Sequence, residues 1–252
     1  MSVMREGDTA IDRALRLLAA LVRDGGAHGL SWHAERLGLP LSTAYRLVAH
    51  LRAHGLIAPG KRGHYWPGAA FSELAHGLDP VGTLTGIARP FVRRLARRRK
   101  AIVHLGVWEG DMVAYVIKES GSDVPLFTRE GGQQEGYCSA VGRVLLAYRP
   151  EEEREAYLAA GPFVALTPHT MTEPEALRTL LTEVPERGYA VDDREIVDNL
   201  VCVAVPVFGP GGAVVAALSL STVVDGAPAP RPIEALQACA RSIGSKLAGE
   251  KA

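Results

Sequence analysis

Residues 135–147, EGYCSAVGRVLLA, are the stretch best equipped for chemistry, and they support two incompatible readings. Gly136-Tyr137-Cys138-Ser139-Ala140 has the small-x-nucleophile-x-small outline of a turn that exposes a reactive thiol. The same residues describe a chain entering a helix at Ser139, with small side chains and free backbone N–H groups, which suits an anion. A thiol nucleophile needs a base, normally a histidine held by an acid. After Cys138 the only histidine is His169, in LTPHTMT, with no acid paired to it by any motif, and His104 lies on an early strand. The helix after Cys138 is Gly, Ala, Val and Leu, with Arg143 as its single charge. The residues favour the anion, and no catalytic residue is assigned.

A second stretch, GLPLSTAYRLVAHLRAHGLI (38–57), points to a different chemistry. Ala44, Leu47, Val48 and Leu51 fall at i, i+3, i+4 and i+7, so they pack one helix face inward. Thr43, Arg46 and His50 then share the outer face, with Ser42 and Tyr45 near its exposed N-terminal end. Arg46 can donate bidentately to guanine or hold a phosphate, and Ser42, Thr43 and Tyr45 can bond phosphate oxygens or a base edge. Lys61 and Arg62, in the tip PGKRG (59–63), are placed to reach the flanking nucleic-acid backbone.

The elements around these stretches follow from periodicity. A helix over 9–23 starts at Thr9, with Asp12 three residues on, and stops at Gly25-Gly26. A short helix capped by Ser31 reaches Leu37, Gly38 turns the chain, and a third helix covers 42–54. Leu56-Ile57 and His64-Tyr65-Trp66 read as two short strands about a basic turn. Three helices and a hairpin make a winged helix-turn-helix over 7–68. A connecting helix follows within 69–80, and residues 81–252 form an α+β domain with one central antiparallel sheet. Its predicted strands are AIVHLGVW, MVAYVIKE, VPLFT (124–128), YAVDD (189–193), VCVAVPVF (201–208) and AVVAALSLS (213–221), with helices over 81–100, 139–148, 151–160, 173–186 and 232–247.

The net charge of zero hides a division. Residues 1–67 hold 9 Lys/Arg against 5 Asp/Glu, residues 68–100 hold 7 against 2, and residues 101–252 hold 12 against 21. A basic front suggests a polyanion partner for that part alone, and the face of Arg89, Arg93, Arg97 and Lys100 meets either DNA or the chain's own acidic part. No apolar run approaches the roughly 18 residues that span a bilayer. The first residues lack a signal-peptide layout, and Cys138, Cys202 and Cys239 lack metal-type spacing, so a cytoplasmic protein with reduced thiols is expected. Cys202 and Asp192 have no His-x-His or Cys-x-x-Cys beside them, so neither a metal nor a cofactor is expected.

RALRLLAALV, GLPLSTAYRLVAHLRAHGLI and the Tyr65-x-Pro67-Gly68 exit resemble the N-terminal domain of IclR-type transcriptional regulators, and SAVGRVLLA, LTPHTMTEPEALRTLL, ERGYAVDDREIVDNLVCVAVPVF and AALSLS continue the resemblance in the family's order. The second helix is shorter than the family's, and Asn199 stands where the family usually has Gly. The resemblance implies a GAF-like effector-binding domain. In its pocket Ala140 and Val141 offer backbone N–H groups to a carboxylate, and Asp192, Cys202, Ser219 and Ser221 line the remainder. It also implies double-stranded operator DNA and a small organic acid as partners, in homodimers or tetramers built from two dimers. The alternative of another class is a cysteine enzyme that processes small molecules and carries the winged helix as an interaction module.

Overall fold

The computed structural model describes residues 9–224 and 231–249. The expected ranges 7–68 and 81–252 extend outside these at 7–8, 225–230 and 250–252. The chain divides into two compact units, one ending at Asp79 and the other starting at Pro80.

In the first unit, α1 (Ala10–Asp24) opens with a reciprocal cap. The Thr9 hydroxyl accepts the Asp12 N–H at 3.1 Å, and the Asp12 carboxylate accepts the Thr9 N–H at 2.9 Å. Gly25, left-handed at φ 56°, stops it. Next come α2 (Leu30–Arg36) and α3 (Leu41–Ala53), joined through Gly38 at φ 65°. The expected Ser31 cap is corrected. Gly29 is the N-cap residue, and its carbonyl accepts the N–H groups of Trp32 and His33, so Ser31 already lies in the first turn. Ala44, Leu47, Val48 and Leu51 are buried against Leu17, Leu21, Leu30 and Ala34. β1 (Ile57–Pro59) and β2 (Tyr65–Pro67) pair antiparallel as the wing, and α4 (Ala69–His76) is fixed to the turn between α3 and β1 by Ala70 N–H donating to the Gly55 carbonyl.

The second unit is built on one antiparallel sheet. Its strands, in chain order β3 (Ile102–Glu109), β4 (Met112–Ser120), β5 (Gln133–Glu135), β6 (Ala190–Asp193), β7 (Leu200–Phe208) and β8 (Val214–Val223), lie in the spatial order β5-β4-β3-β8-β7-β6. Strand side chains alternate between faces, and both faces are covered here. Val103, Leu105, Val203, Val205, Leu218 and Leu220 pack under α5 (Pro80–Arg99) and α9 (Ile233–Leu247). The opposite face packs under α6 (Ala140–Ala147) and α8 (Pro174–Arg187), with α7 (Glu151–Ala159) between them in sequence.

The expected strand over 124–128 is absent. Its place on β4 is taken by residues 131–135: Gly131 N–H donates to the Tyr115 carbonyl, Tyr115 N–H donates to Gly132, and β5 completes the edge. Further along β4 the Glu130 carboxylate accepts the Lys118 N–H at 2.9 Å. With those groups satisfied, 124–128 becomes an irregular strap, held by the Lys118 ammonium donating to the carbonyls of Leu126 and Thr128.

Two features set α6 onto the sheet. A Cβ on Gly142 would lie 2.3 Å from the Gly136 carbonyl oxygen, so any other residue there would lift the helix away. Arg143, fully buried, donates through Nε to the Tyr137 carbonyl and through Nη1 to the Val191 carbonyl, both at 2.8 Å, and forms a bidentate pair with Glu195 at 2.5 and 2.6 Å. Gly142→Ala is expected to destabilise the chain by about 1–3 kcal/mol through overpacking. Glu195→Gln, which leaves a buried guanidinium without its counter-ion, is expected to cost about 3–5 kcal/mol. Urea denaturation of both variants checks this; unchanged midpoints would show that α6 is not held this way.

Candidate functional site

On α3 the inward stripe of Ala44, Leu47, Val48 and Leu51 leaves Ser42, Tyr45, Arg46 and His50 exposed, with Thr43 half-buried. The wing turn holds Lys61 and Arg62 out to solvent, and Arg62 takes a left-handed φ of 52°. Two residues not singled out in the sequence fix that turn. His64 Nδ1 lies 2.8 Å from the Gly26 carbonyl, and the Trp66 ring packs so closely on Gly26 and Gly60 that a Cβ on either would clash with it. Among the described residues none of Arg46, Lys61 and Arg62 is held in an ion pair, so their charges are open to a partner. On α2, Trp32 carries Arg36 over its ring at 4.7 Å and His28 stacked at 4.0 Å, and the i, i+4 spacing of Trp32 and Arg36 was the available signal. The basic face of α5 is partly committed. Arg89 pairs with Glu130 at 2.7 Å and Arg93 with Glu119 at 3.1 Å, within the second unit's own surface.

In the second unit, strand register assembles a polar row on the face under α6. Asp192 is paired with Cys202 and Cys202 with Ser221, while Ala204, Ser219 and His104 make the adjoining rank. Cys202 Sγ lies 3.2 Å from Ser221 Oγ. Above this row stands the start of α6. Its N-cap Ser139 accepts the Gly142 N–H at 3.0 Å, which leaves the Ala140 and Val141 N–H groups, donors that a first helical turn cannot satisfy internally. All six residues expected from the resemblance (Ala140, Val141, Asp192, Cys202, Ser219 and Ser221) line one narrow cavity, whose free space of about 10 Å³ is that of a single water.

His104, Tyr115, Phe127 and Thr128 share that lining, and none was expected there. His104 is buried, its Nε2 2.8 Å from Thr128 Oγ1 and its ring 4.6 Å from that of Tyr115. Burial, helped by Lys118, pushes its pKa down to about 3, so the ring is neutral. The alternation of β3 was a signal for His104, because Val103 and Leu105 beside it read as core. A wider surface groove of about 690 Å³ runs past Trp108, Tyr157 and Phe163. Its buried polar groups serve the fold: the Tyr137 hydroxyl donates to the Val164 carbonyl, and the Tyr157 hydroxyl accepts the Tyr137 N–H.

The same geometry decides the question of the thiol. Cys138 is buried, and burial, reinforced by Asp192, pushes its pKa up to about 12. His104 is turned to Thr128, and His169 sits exposed in the loop 166–170. A protonated, enclosed thiol without a base is not an activated nucleophile.

Known proteins give the same division of the chain. The model described as "IclR helix-turn-helix domain" matches residues 10–59, and "Bacterial transcriptional regulator IclR C-terminal" matches residues 82–245. The regulator XynR of Escherichia coli is 31% identical over 215 residues, 84% of this chain and 85% of that one. KdgR of the same organism is 33% identical over 196 residues, 77% and 74% of the two chains. An IclR homologue from Microbacterium hydrocarbonoxydans, solved in complex with 4-hydroxybenzoate, superposes with a TM-score of 0.64 at 30% identity, covering 96% of this chain and all of that one. The IclR protein of Thermotoga maritima superposes at 0.61 with 29% identity, covering 94% and 98%. These relatives are regulators of transcription, not enzymes. No helix among the described residues is long and apolar enough to cross a membrane. The chain belongs to the IclR family: it is a DNA-binding transcriptional regulator with a helix-turn-helix domain followed by an IclR C-terminal domain.

Proposed function

We propose that this regulator reads operator DNA through α3 and the wing, and that a small organic carboxylate bound under α6 alters its hold on the operator. Ser42, Thr43, Tyr45 and Arg46 enter the major groove, His50 lies further along the same face, and Lys61 and Arg62 grip the adjoining backbone. Residues 7–68 form the DNA-binding domain, 69–80 connect it, and 81–252 sense the effector in the cytoplasm. One winged helix presents few cations, so two heads of a homodimer, or of a tetramer of two dimers, act together on one operator.

The observation that carries the sensing half is the convergence of the Ala140 and Val141 N–H groups with the Ser219 and Ser221 hydroxyls on one buried cavity. Backbone N–H groups at a helix start favour an anion, and the hydroxyls donate without bringing a counter-charge of their own. The Microbacterium relative bound to a carboxylate supports this choice of ligand class. The effector acts by population shift, preferring one of two arrangements of the dimer, and it alters operator occupancy by no more than its difference in affinity for the two.

The DNA reading predicts two kinds of loss. Arg46→Ala lowers specific operator affinity by about 1–3 kcal/mol, whereas Lys61→Ala and Arg62→Ala weaken all sequences alike and flatten the salt dependence. Gel-shift titrations at several salt concentrations check this, and unchanged affinity for Arg46→Ala would remove that side chain from the interface. For the sensor, acetate serves as a minimal carboxylate probe, its binding read as a rise in melting temperature of the full chain. Ser219→Ala and Ser221→Ala each weaken it about ten- to a hundredfold, the worth of one charge-assisted hydrogen bond. Cys138→Ser binds as the wild type does. No stabilisation by acetate at any concentration would overturn the carboxylate site.

A further inference from the structure

The proposed effector cavity contains a carboxyl group placed where a second carboxylate is to bind. Asp192 Oδ1 accepts the Glu195 N–H at 2.8 Å, while Oδ2, fully buried, makes no hydrogen bond of ordinary length among the described residues, the Ile196 N–H and the Cys202 thiol acting on the carboxyl only from further off. An ionised oxygen in that position would be among the most costly groups a protein can bury. Among the described residues the cation acting on it is Arg143 of α6, already committed to Glu195 and to the carbonyls of Tyr137 and Val191.

The other groups that face Asp192 bring no positive charge. Glu195, in the segment after β6, is negative and adds to the repulsion. Cys202 on β7, Cys138 before α6 and Tyr115 on β4 are all pushed upward by burial and stay protonated. His104 on β3, across the same cavity, is pushed down and stays neutral. Arg143 and Glu195 cancel, so an ionised Asp192 leaves this end of the site with one net negative charge. A carboxylate arriving at the Ala140 and Val141 N–H groups would be the second. Two carboxylates sharing a low-dielectric site do not both stay ionised.

We propose that Asp192 receives the effector's carboxylate as a neutral acid, donating its Oδ2 proton to it, so that wherever Asp192 is still ionised effector binding takes up a proton from solvent. This rests on the carboxylate site proposed above and adds its regulation. The balance is simple: the ionised aspartate, the anionic ligand and one solvated proton combine into a bound pair carrying one negative charge. The hydrogen bond formed, O–H to carboxylate, belongs to the strong class, and it gives the orphaned oxygen its partner. Burial has already moved the free carboxyl up to about 7, so the proton is half in place at neutral pH. The direction of the linkage follows. Below neutrality Asp192 is protonated before the ligand arrives, and affinity is constant. Above it each binding event must draw a proton from an ever scarcer supply, and affinity falls by about tenfold per pH unit.

The test uses the full chain and acetate, an anion throughout, from about pH 6 to about pH 9. Wild-type affinity is expected to be flat at the acid end and to fall about tenfold per unit beyond neutrality. Asp192→Asn keeps an N–H donor and loses the titration, so its affinity is expected to be independent of pH and to exceed the wild type's at the alkaline end. In the wild-type protein, infrared difference spectra are expected to show a protonated carboxyl band that fades through neutral pH and persists to higher pH with acetate present. This measurement stands even where the variant fails to fold. Acetate binding with a flat pH profile, or a carboxyl band lost wholly in the ordinary carboxylate range, overturns the proton-linked role while leaving the carboxylate site intact. Absence of acetate binding at every pH overturns both.

Discussion

A guanidinium enclosed among apolar side chains is tolerable only where each face of it meets an acceptor, and that requirement organises the second domain. Arg143 collects the carbonyl of Tyr137 from the approach to α6, the carbonyl of Val191 from β6 and both oxygens of Glu195 from the segment beyond β6. Glu195 in turn accepts the N–H of Met171, and its own carbonyl accepts the Thr170 hydroxyl, so the loop 166–171 joins the same network. A buried ion pair adds little net stability over apolar side chains of the same volume. What this one adds is position. Three segments remote in sequence (137–143, 166–171 and 191–195) are held in one register, and among them are the first turn of α6 and the strand that carries Asp192. The cost falls on Asp192, which sits within the influence of Arg143 but receives none of its hydrogen bonds.

The two functional surfaces consequently work under opposite electrostatic conditions. On α3 and the wing Arg46, Lys61 and Arg62 are exposed and, among the described residues, in no ion pair; their attraction for an anion is screened within about 8–10 Å at ordinary salt, and in the proposed mode they gain by releasing counter-ions from a polyanion. Such a surface needs a rigid helix and little else, which the stripe from Ala44 to Leu51 provides. Under α6 nothing is screened, and free charge would be hard to bury. There the proposed site relies on neutral donors: two amides, two hydroxyls and a carboxyl near the midpoint of its titration.

How much of this was legible in the sequence depends on how local the determinants are. The faces of α3 followed from i, i+3, i+4 and i+7 spacing, and the shared face of Ser219 and Ser221 from their separation by two on one strand. The roles of Ala140, Val141, Asp192 and Cys202 came from family resemblance, since no spacing within the chain brings them together. Arg143 read only as a lone charge on an apolar helix, because its partner lies 52 residues away. His104, Tyr115 and Thr128 were missed for a related reason: each enters the cavity through sheet register or through the strap. The strap itself was misread as a strand. VPLFT has the composition of one, but whether it pairs was decided by competition for the edge of β4, which residues 131–135 won.

That outcome determines how the cavity opens. Its floor is the sheet, where β3, β7 and β8 are bonded along their lengths, and one wall is α6, locked by Arg143. The roof is the strap, bonded to the sheet by side chains: the Lys118 ammonium to the carbonyls of Leu126 and Thr128, and His104 to the Thr128 hydroxyl. Each hydrogen bond from a charged donor contributes roughly 1.5–3 kcal/mol and the neutral one less, against the concerted loss of a strand ladder or of a buried ion pair for any other opening. Phe127, already 61% exposed, has little apolar contact to lose. The roof is therefore the part that yields, and a ligand larger than the cavity as it stands must be accommodated by displacing residues 126–128. In the proposed binding mode the anion is held at the opposite end, by α6 and Asp192, so the strap meets whatever the effector carries beyond its carboxylate. That mode would have charge recognised at the rigid end of the site and size at the movable one.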